Sequence, residues 1–325
     1  MNKKKYYLTL DTETATLGFS DSICKDEAEK QKISIMRPIV YDIGWVISDR
    51  VGNIVKKVNY LVQETFFVPT IFFTAYYKDK RPFYMEELAK GTIGVKNWDS
   101  IAEELAKDME TVDLCTAYNA AFDFKKAIPF TEEYISALYS PDYVKWEISQ
   151  RRLCEKTLSN PRKYKGKEDS DFLDPVFRLR GAKCPIADLW AVACDRLINI
   201  DKYRSYCLEN SLLTNSKVYF KTSAETAYQY LMNQYDFVEN HTALSDAEIE
   251  NEILMKALKR GKVEPILKAF PFKELGSTYD FAMTKKKQYI PTLIEELGGY
   301  IEKLSEGGYK SKLENVLAEL TAIAN

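Results

Sequence analysis

Histidine is nearly missing from this chain: 325 residues contain one, His241. The six cysteines (Cys24, Cys115, Cys154, Cys184, Cys194 and Cys207) form no CxxC pair. A single histidine cannot complete a zinc set around them, so a structural zinc site is not expected. Long apolar runs are also missing. None approaches the ~20 residues needed to cross a bilayer. The opening MNKKKYYLTLDTET carries too short an apolar stretch before its acids to read as a signal peptide. The expectation is a cytoplasmic protein with reduced thiols and no membrane partner. An excess of one charge sign is missing too: 46 Lys and Arg stand against 48 Asp and Glu, net −2. There is no global basic field, so a polyanionic partner has to be met by local basic patches or by bound metal ions.

What is there reads as a mixed α/β chain without internal repeats. Residues 6–10 form an apolar strand pattern. VYDIGWVI (40–47), the turn DRVGN and IVKKVNYLV form a hairpin by alternation and by the Gly-Asn turn. Ser100 and Glu103 make a capping box opening a helix that carries Ile101, Leu105 and Met109. The strand VDLCTAY runs into NAAFDFKKAIPF, a helix with Asn119 as N-cap and Pro129 limiting its far end. Residues 160–183 read as a loop, 185–198 as a helix started by Pro185, and 243–258 as a helix ended by Gly261. Two amphipathic candidates, near 290–304 and 309–323, fill the tail. The expected organisation is one domain over 1–261, with insertions at about 18–37 and 131–183, followed by a helical extension over 262–325.

The first strand does not fade into a loop. It stops at Asp11-Thr-Glu13. Side chains alternate along a strand, so both carboxylates project from one side. Two such acids repel unless a cation lies between them, and oxygen ligands favour Mg²⁺ or Mn²⁺. A lone D-x-E also fits a solvated strand end, so the pair needs company. Asp123 offers it, in the first turn of the helix after VDLCTAY, where the helix dipole alone also favours an acid. His241 and Asp246 complete the set, with Asp246 in the first turns of a helix. Histidine titrates near neutrality, which suits a general base acting on water.

Asp11-Thr-Glu13-Thr, Asn119-x-x-Phe122-Asp123 and His241-x-Ala243-x-x-Asp246 follow the order of the three motifs of the DEDDh (DnaQ-like) 3′–5′ exonucleases, within the ribonuclease-H-like superfamily. The chain resembles this family over about 1–50 and 98–128, and more weakly over 184–258. FDFKKAIPF and the long insertions are similar to stand-alone members carried by bacteriophages. The DEDDy branch would place Tyr where Thr242 stands. Three departures concern substrate choice: Thr14-Ala15-Thr16 replaces the usual glycine after the first motif, Tyr118 stands where histidine is frequent, and the second and third motifs lie farther apart than is usual.

The resemblance implies a ribonuclease-H-like mixed sheet flanked by helices and hydrolysis of phosphodiester bonds from a 3′ end. It implies two divalent cations, Mg²⁺ or Mn²⁺, held by Asp11, Glu13, Asp123 and Asp246, with His241 as general base. Thr12 and Thr14, with Phe122 and Asn119, fall where the family holds its 3′-terminal nucleotide. Single-stranded DNA is the favoured substrate. RNA, as for ribonuclease T or oligoribonuclease, is the alternative, because discrimination depends on how the pocket meets the 2′-OH. A non-catalytic nucleic-acid-binding module and a polymerase-associated subunit docked through the tail are readings of a different class. Basic help could come from Lys125-Lys126, Arg151-Arg152, the 162–167 stretch, Arg178 and Arg180, or 285–287. The aromatic run FFVPTIFFTAYY (66–77) suits a base-stacking platform or the core.

Overall fold

The structure, a computed structural model, describes residues 5–159, 174–303 and 308–324. It is an α/β protein built on one seven-stranded mixed sheet. The strands are β1 (Tyr6–Ala15), β2 (Ile39–Asp49), β3 (Ile54–Val62), β4 (Gly94–Lys96), β5 (Leu114–Ala117), β6 (Val176–Leu179) and β7 (Ala182–Asp188). Their order across the sheet is β4-β3-β2-β1-β5-β7-β6. β1 is antiparallel to β2 and parallel to β5, and β5 is parallel to β7. The ribonuclease-H-like sheet with flanking helices is therefore present.

Every residue of β2 is buried. Gly44 on this strand meets the backbone of Ala243 and Leu244, while its neighbour Trp45 donates its indole N–H to Asp108 at 2.8 Å. Alternation along one strand thus serves helices on both faces of the sheet. The longer helices of the body are α1 (Glu27–Met36), α2 (Arg81–Lys90), α3 (Trp98–Met109), α4 (Ile128–Leu138), α5 (Tyr143–Ser159), α7 (Ala224–Met232) and α8 (Ala243–Arg260). α6 (Asp201–Glu209), α9 (Thr278–Glu302) and α10 (Gly308–Ala324) belong elsewhere. The chain divides into two compact units, 1–199 with 222–271 and 200–221 with 272–325. In the second, Arg204 donates to the carbonyl of Leu275 at 2.9 Å, and the Phe220 and Phe281 rings meet edge to face. Among the described residues no helix is long and apolar enough to cross a membrane. No disulfide joins the six cysteines.

Several local expectations change. The first strand does not stop at Asp11: it runs on through Glu13 to Ala15, still paired with β2, so both acids lie within it. The helix expected at Ser100 begins at Trp98, because Asn97 caps it and accepts the Ser100 N–H. The helix expected over 185–198 starts only at Leu189. Ala182–Asp188 pairs with β5 and β6 instead, and a short apolar run is ambiguous between the two states. β6 also occupies part of the expected 160–183 loop, of which 160–173 lies outside the described residues. Pro129 does not stop its helix. A π-helical segment, Asp123–Ala127, precedes it, and Pro129 sits in the first turn of α4, where the missing N–H costs least. In the tail, the first helix begins at Thr278, capped by Ser277, and runs through Pro291.

Candidate functional site

β1 supplies Asp11 and Glu13. The register with β2 shifts between Glu13 and Thr14, and a bulge at this point re-aims the end of the strand. Asp11 lies opposite Gly44, and Glu13 opposite Asp42. Gly44 is required here: a Cβ on it would sit 2.3 Å from the Leu244 nitrogen and 2.4 Å from the Leu244 Cα. Its bare backbone lets the first turn of α8 come down on the sheet beside Asp11. β5 is parallel to β1, with Thr9 level with Thr116, so the chain leaves β5 where Asp11 begins. Asn119 turns it with φ 65°. Asn119 stands at the N-cap position but makes no side-chain cap. Asp188, at the end of β7, takes that role and accepts the Asn119 and Ala120 N–H groups at 2.9 and 3.4 Å. Asp123 then turns inward, buried, and accepts the Thr12 hydroxyl at 2.6 Å.

α8 completes the cluster. Its N-cap, Thr242, makes no side-chain cap hydrogen bond. Asp42 of β2 caps the helix across space, accepting the Ala243 N–H at 3.0 Å and the Tyr84 hydroxyl at 2.9 Å through Oδ2. Asp246 lies in the first turn, buried, with Oδ1 unpartnered. Asp42 Oδ1 is unpartnered as well. One turn beyond Asp246, Glu250 is 2% exposed and accepts the Tyr118 N–H at 2.9 Å. His241 precedes the helix with φ 49°. Its Nδ1 is 3.5 Å from a Glu239 oxygen and 3.8 Å from an Asp246 oxygen.

The structure brings Glu13, His241 and Asp246 together: one ligand atom from each lies within 4.8 Å of the others. Asp11 and Asp123 are not part of that 4.8 Å group, but the Asp11 carboxyl feels the charges of Asp123, Asp246 and Glu13. Burial and then Glu250, Asp123, Asp246 and Glu13 push the Asp11 carboxyl well above its ordinary range. Burial and then Asp246 and Asp42 do the same to Glu13, against the opposing pull of Lys80. Asp123 is pushed up to about 7, first by burial, and Asp246 to about 8, by burial and then Glu239. Asp42 rises to about 6 by burial. Crowded acids of this kind resist ionisation unless a cation joins them. The unpartnered Asp246 Oδ1 and the all-oxygen carboxylate set fit a hard divalent cation. His241 moves the opposite way: burial and then Lys80 lower its pKa, which favours the neutral imidazole.

Of the other expected residues, Thr14 is partly buried and Phe122 is partly buried against the core. Asn119 is exposed at the turn, and Thr12 is buried with its hydroxyl committed to Asp123. The basic groups are mostly occupied. Lys125 donates to the Val176 carbonyl, Arg151 pairs with Glu155, Arg180 with Asp99 and Glu132, Arg178 with Asp174, and Lys285 with Asp201. The 162–167 stretch lies outside the described residues. Asp42, Glu250 and Asp188 escaped sequence reasoning. The signal for Asp42 was present, since an acid inside the apolar run VYDIGWVI has to be buried. No family model matches the chain, and no curated protein does either.

Proposed function

We propose that the protein is a metal-dependent 3′–5′ exonuclease of the DEDDh kind, acting on single-stranded DNA. The observation that carries this reading is the convergence of Glu13, the sole histidine and Asp246 within 4.8 Å, reached from β1 and from α8, some 230 residues apart in sequence. The charges of Asp123, Asp246 and Glu13 on the Asp11 carboxyl support including Asp11 and Asp123 in the same site.

Glu13, Asp246 and Asp11 are the residues to hold one divalent ion, and Asp11 with Asp123 a second. When bound, the ions neutralise the scissile phosphate and steady the charge that develops on it. The chain's own groups do the rest. His241, whose pKa burial lowers toward the neutral imidazole, accepts the proton of the attacking water. Thr12 keeps the Asp123 carboxylate turned inward through its 2.6 Å hydrogen bond. Asp42 fixes the start of α8, and with it Asp246, against the sheet. The apolar side of Phe122 offers a surface on which a terminal base can stack. A net charge of −2 is no obstacle, because the attraction for the polyanion is local.

Release of a terminal label tests the reading. With Mn²⁺ present, a single strand labelled at its 3′ end is expected to lose its label as mononucleotide from the earliest times. Label appearing first in longer fragments would mark an endonuclease and overturn the proposal.

A further inference from the structure

The aromatic run 66–77 divides in a way that its composition does not announce. Phe66 and Phe72 enter the core. Tyr77, at the end of the run, neither joins them nor faces freely outward. Its ring lies on the imidazole of His241, with centroids 4.5 Å apart and planes 13° from parallel. Three residues on, the Lys80 ammonium donates to the backbone carbonyls of Asn240 and His241. This segment, between β3 and α2, contributes no acid to the cluster, yet it grips His241, two residues before α8, from the side.

The grip falls on a demanding backbone position. His241 has φ 49°, a left-handed conformation uncommon for a side-chain-bearing residue. Its side chain is also constrained at the edge. Nδ1 faces two carboxylates, Glu239 at 3.5 Å and Asp246 at 3.8 Å. Asp246 belongs to the cation-binding set, which leaves Glu239 for the imidazole. A base is effective only when one nitrogen is held as donor and the other is left as acceptor.

We propose that Tyr77 and Glu239 are positioning residues for His241: Tyr77 fixes the plane of the imidazole, and the Glu239 carboxylate accepts a hydrogen bond from Nδ1–H, so that Nε2, unprotonated, is the nitrogen presented to water. The inference rests on His241 being the general base. It gives the 66–77 run a task that is neither base stacking nor core, and it places part of the catalytic geometry in a segment outside the three motifs.

The single histidine makes the test direct. In untagged, ¹⁵N-labelled, metal-free protein near neutral pH, long-range ¹H–¹⁵N spectra contain one imidazole. The expected result is a proton on Nδ1 and ring protons displaced upfield by the stacked Tyr77. Tyr77→Leu is expected to remove the displacement, and Tyr77→Phe to keep it. On single-stranded DNA with Mn²⁺, Tyr77→Leu is expected to lower kcat about 10- to 100-fold, with KM within about twofold, as small misplacements of a catalytic group do. Tyr77→Phe is expected to restore kcat. Glu239→Ala is expected to move the proton partly to Nε2 and to lower kcat likewise. A proton on Nε2 in the wild type overturns the proposal. So do unchanged ring shifts and unchanged kcat in Tyr77→Leu when His241→Ala is inactive. Full turnover by His241→Ala instead overturns the general-base assignment, and with it the catalytic half of the proposal, whatever the ring shifts show.

Discussion

Replacing Asp123 by asparagine should make the metal-free protein more stable while removing its activity. Asp123 is buried, and its carboxyl is pushed from an ordinary 3.8 to about 7, chiefly by desolvation. The folded-state pKa lies above the unfolded one. The stability tied to this group is therefore complete below 3.8 and is lost as pH rises through about 7. At about 1.4 kcal/mol per pH unit, the ionised side chain costs the fold about 4 kcal/mol at pH 8. Asparagine removes the charge but keeps an oxygen for the Thr12 hydroxyl, which now donates to Asp123 at 2.6 Å. In EDTA at pH 8, Asp123→Asn is expected to exceed wild type by up to about 4 kcal/mol in urea unfolding, the slope m being unchanged. In a unit of this size that raises Tm by roughly 2–4 °C for each kcal/mol. The advantage should shrink on acidification and vanish near pH 4. Saturating Mn²⁺ should narrow or reverse it, because a ligand at about 100 times its Kd adds about 2.7 kcal/mol to the form that binds it. A variant less stable than wild type at pH 8 in EDTA, or a difference that does not depend on pH, would refute the reasoning.

Gly44→Ala places a methyl 2.3 Å from the Leu244 nitrogen, so α8 has to move off the sheet. A loss of about 1–3 kcal/mol in unfolding and at least 10-fold in kcat is expected, and wild-type values would contradict the packing argument. Asp42→Ala strands two donors, the Ala243 N–H and the Tyr84 hydroxyl, at about 1–3 kcal/mol each. Thermal unfolding should show it, and an unchanged Tm would remove Asp42 from the account. Activity should fall on acidification as His241 protonates. Because burial lowers its pKa from 6.5, the midpoint of that fall belongs below 6.5, and a His241→Ala variant should show the limb no longer. EDTA should lower Tm more at pH 8 than at pH 5, since the carboxyls held at about 7 and 8 are protonated at pH 5 and ionise only as pH approaches 8. Equal shifts at the two values would count against a cation among them.

The sheet was legible because its central strands announce themselves. β1 is an apolar run and the β2–β3 hairpin is marked by its Gly-Asn turn, while Asp11 and Glu13 break the apolar run inside β1, which continues to Ala15. α8 was legible from its apolar spacing and from Gly261. What was hidden depends on contacts remote in sequence. Nothing near Thr242 shows that Asp42, two hundred residues earlier, caps its helix. Nothing near Asn119 shows that Asp188 satisfies the turn. Glu250 reads as the solvated face of a helix until β5 is seen to end against it. Tyr77 is one aromatic among many until the loop carrying His241 folds back onto it. Pro185 misled because it fits the first turn of a helix as well as it fits β7.

The most direct measurement is a cleavage time course. A 5′-labelled single-stranded DNA and the RNA of the same sequence are incubated with wild type and with Asp11→Ala, in Mg²⁺, in Mn²⁺ and in EDTA. A ladder that shortens from the 3′ end one nucleotide at a time is expected with either metal, faster on DNA, and absent in EDTA and with Asp11→Ala. A ladder of equal speed with Asp11→Ala, or intact substrate with wild type under both metals, would contradict the claim that these acids form a hydrolytic metal site.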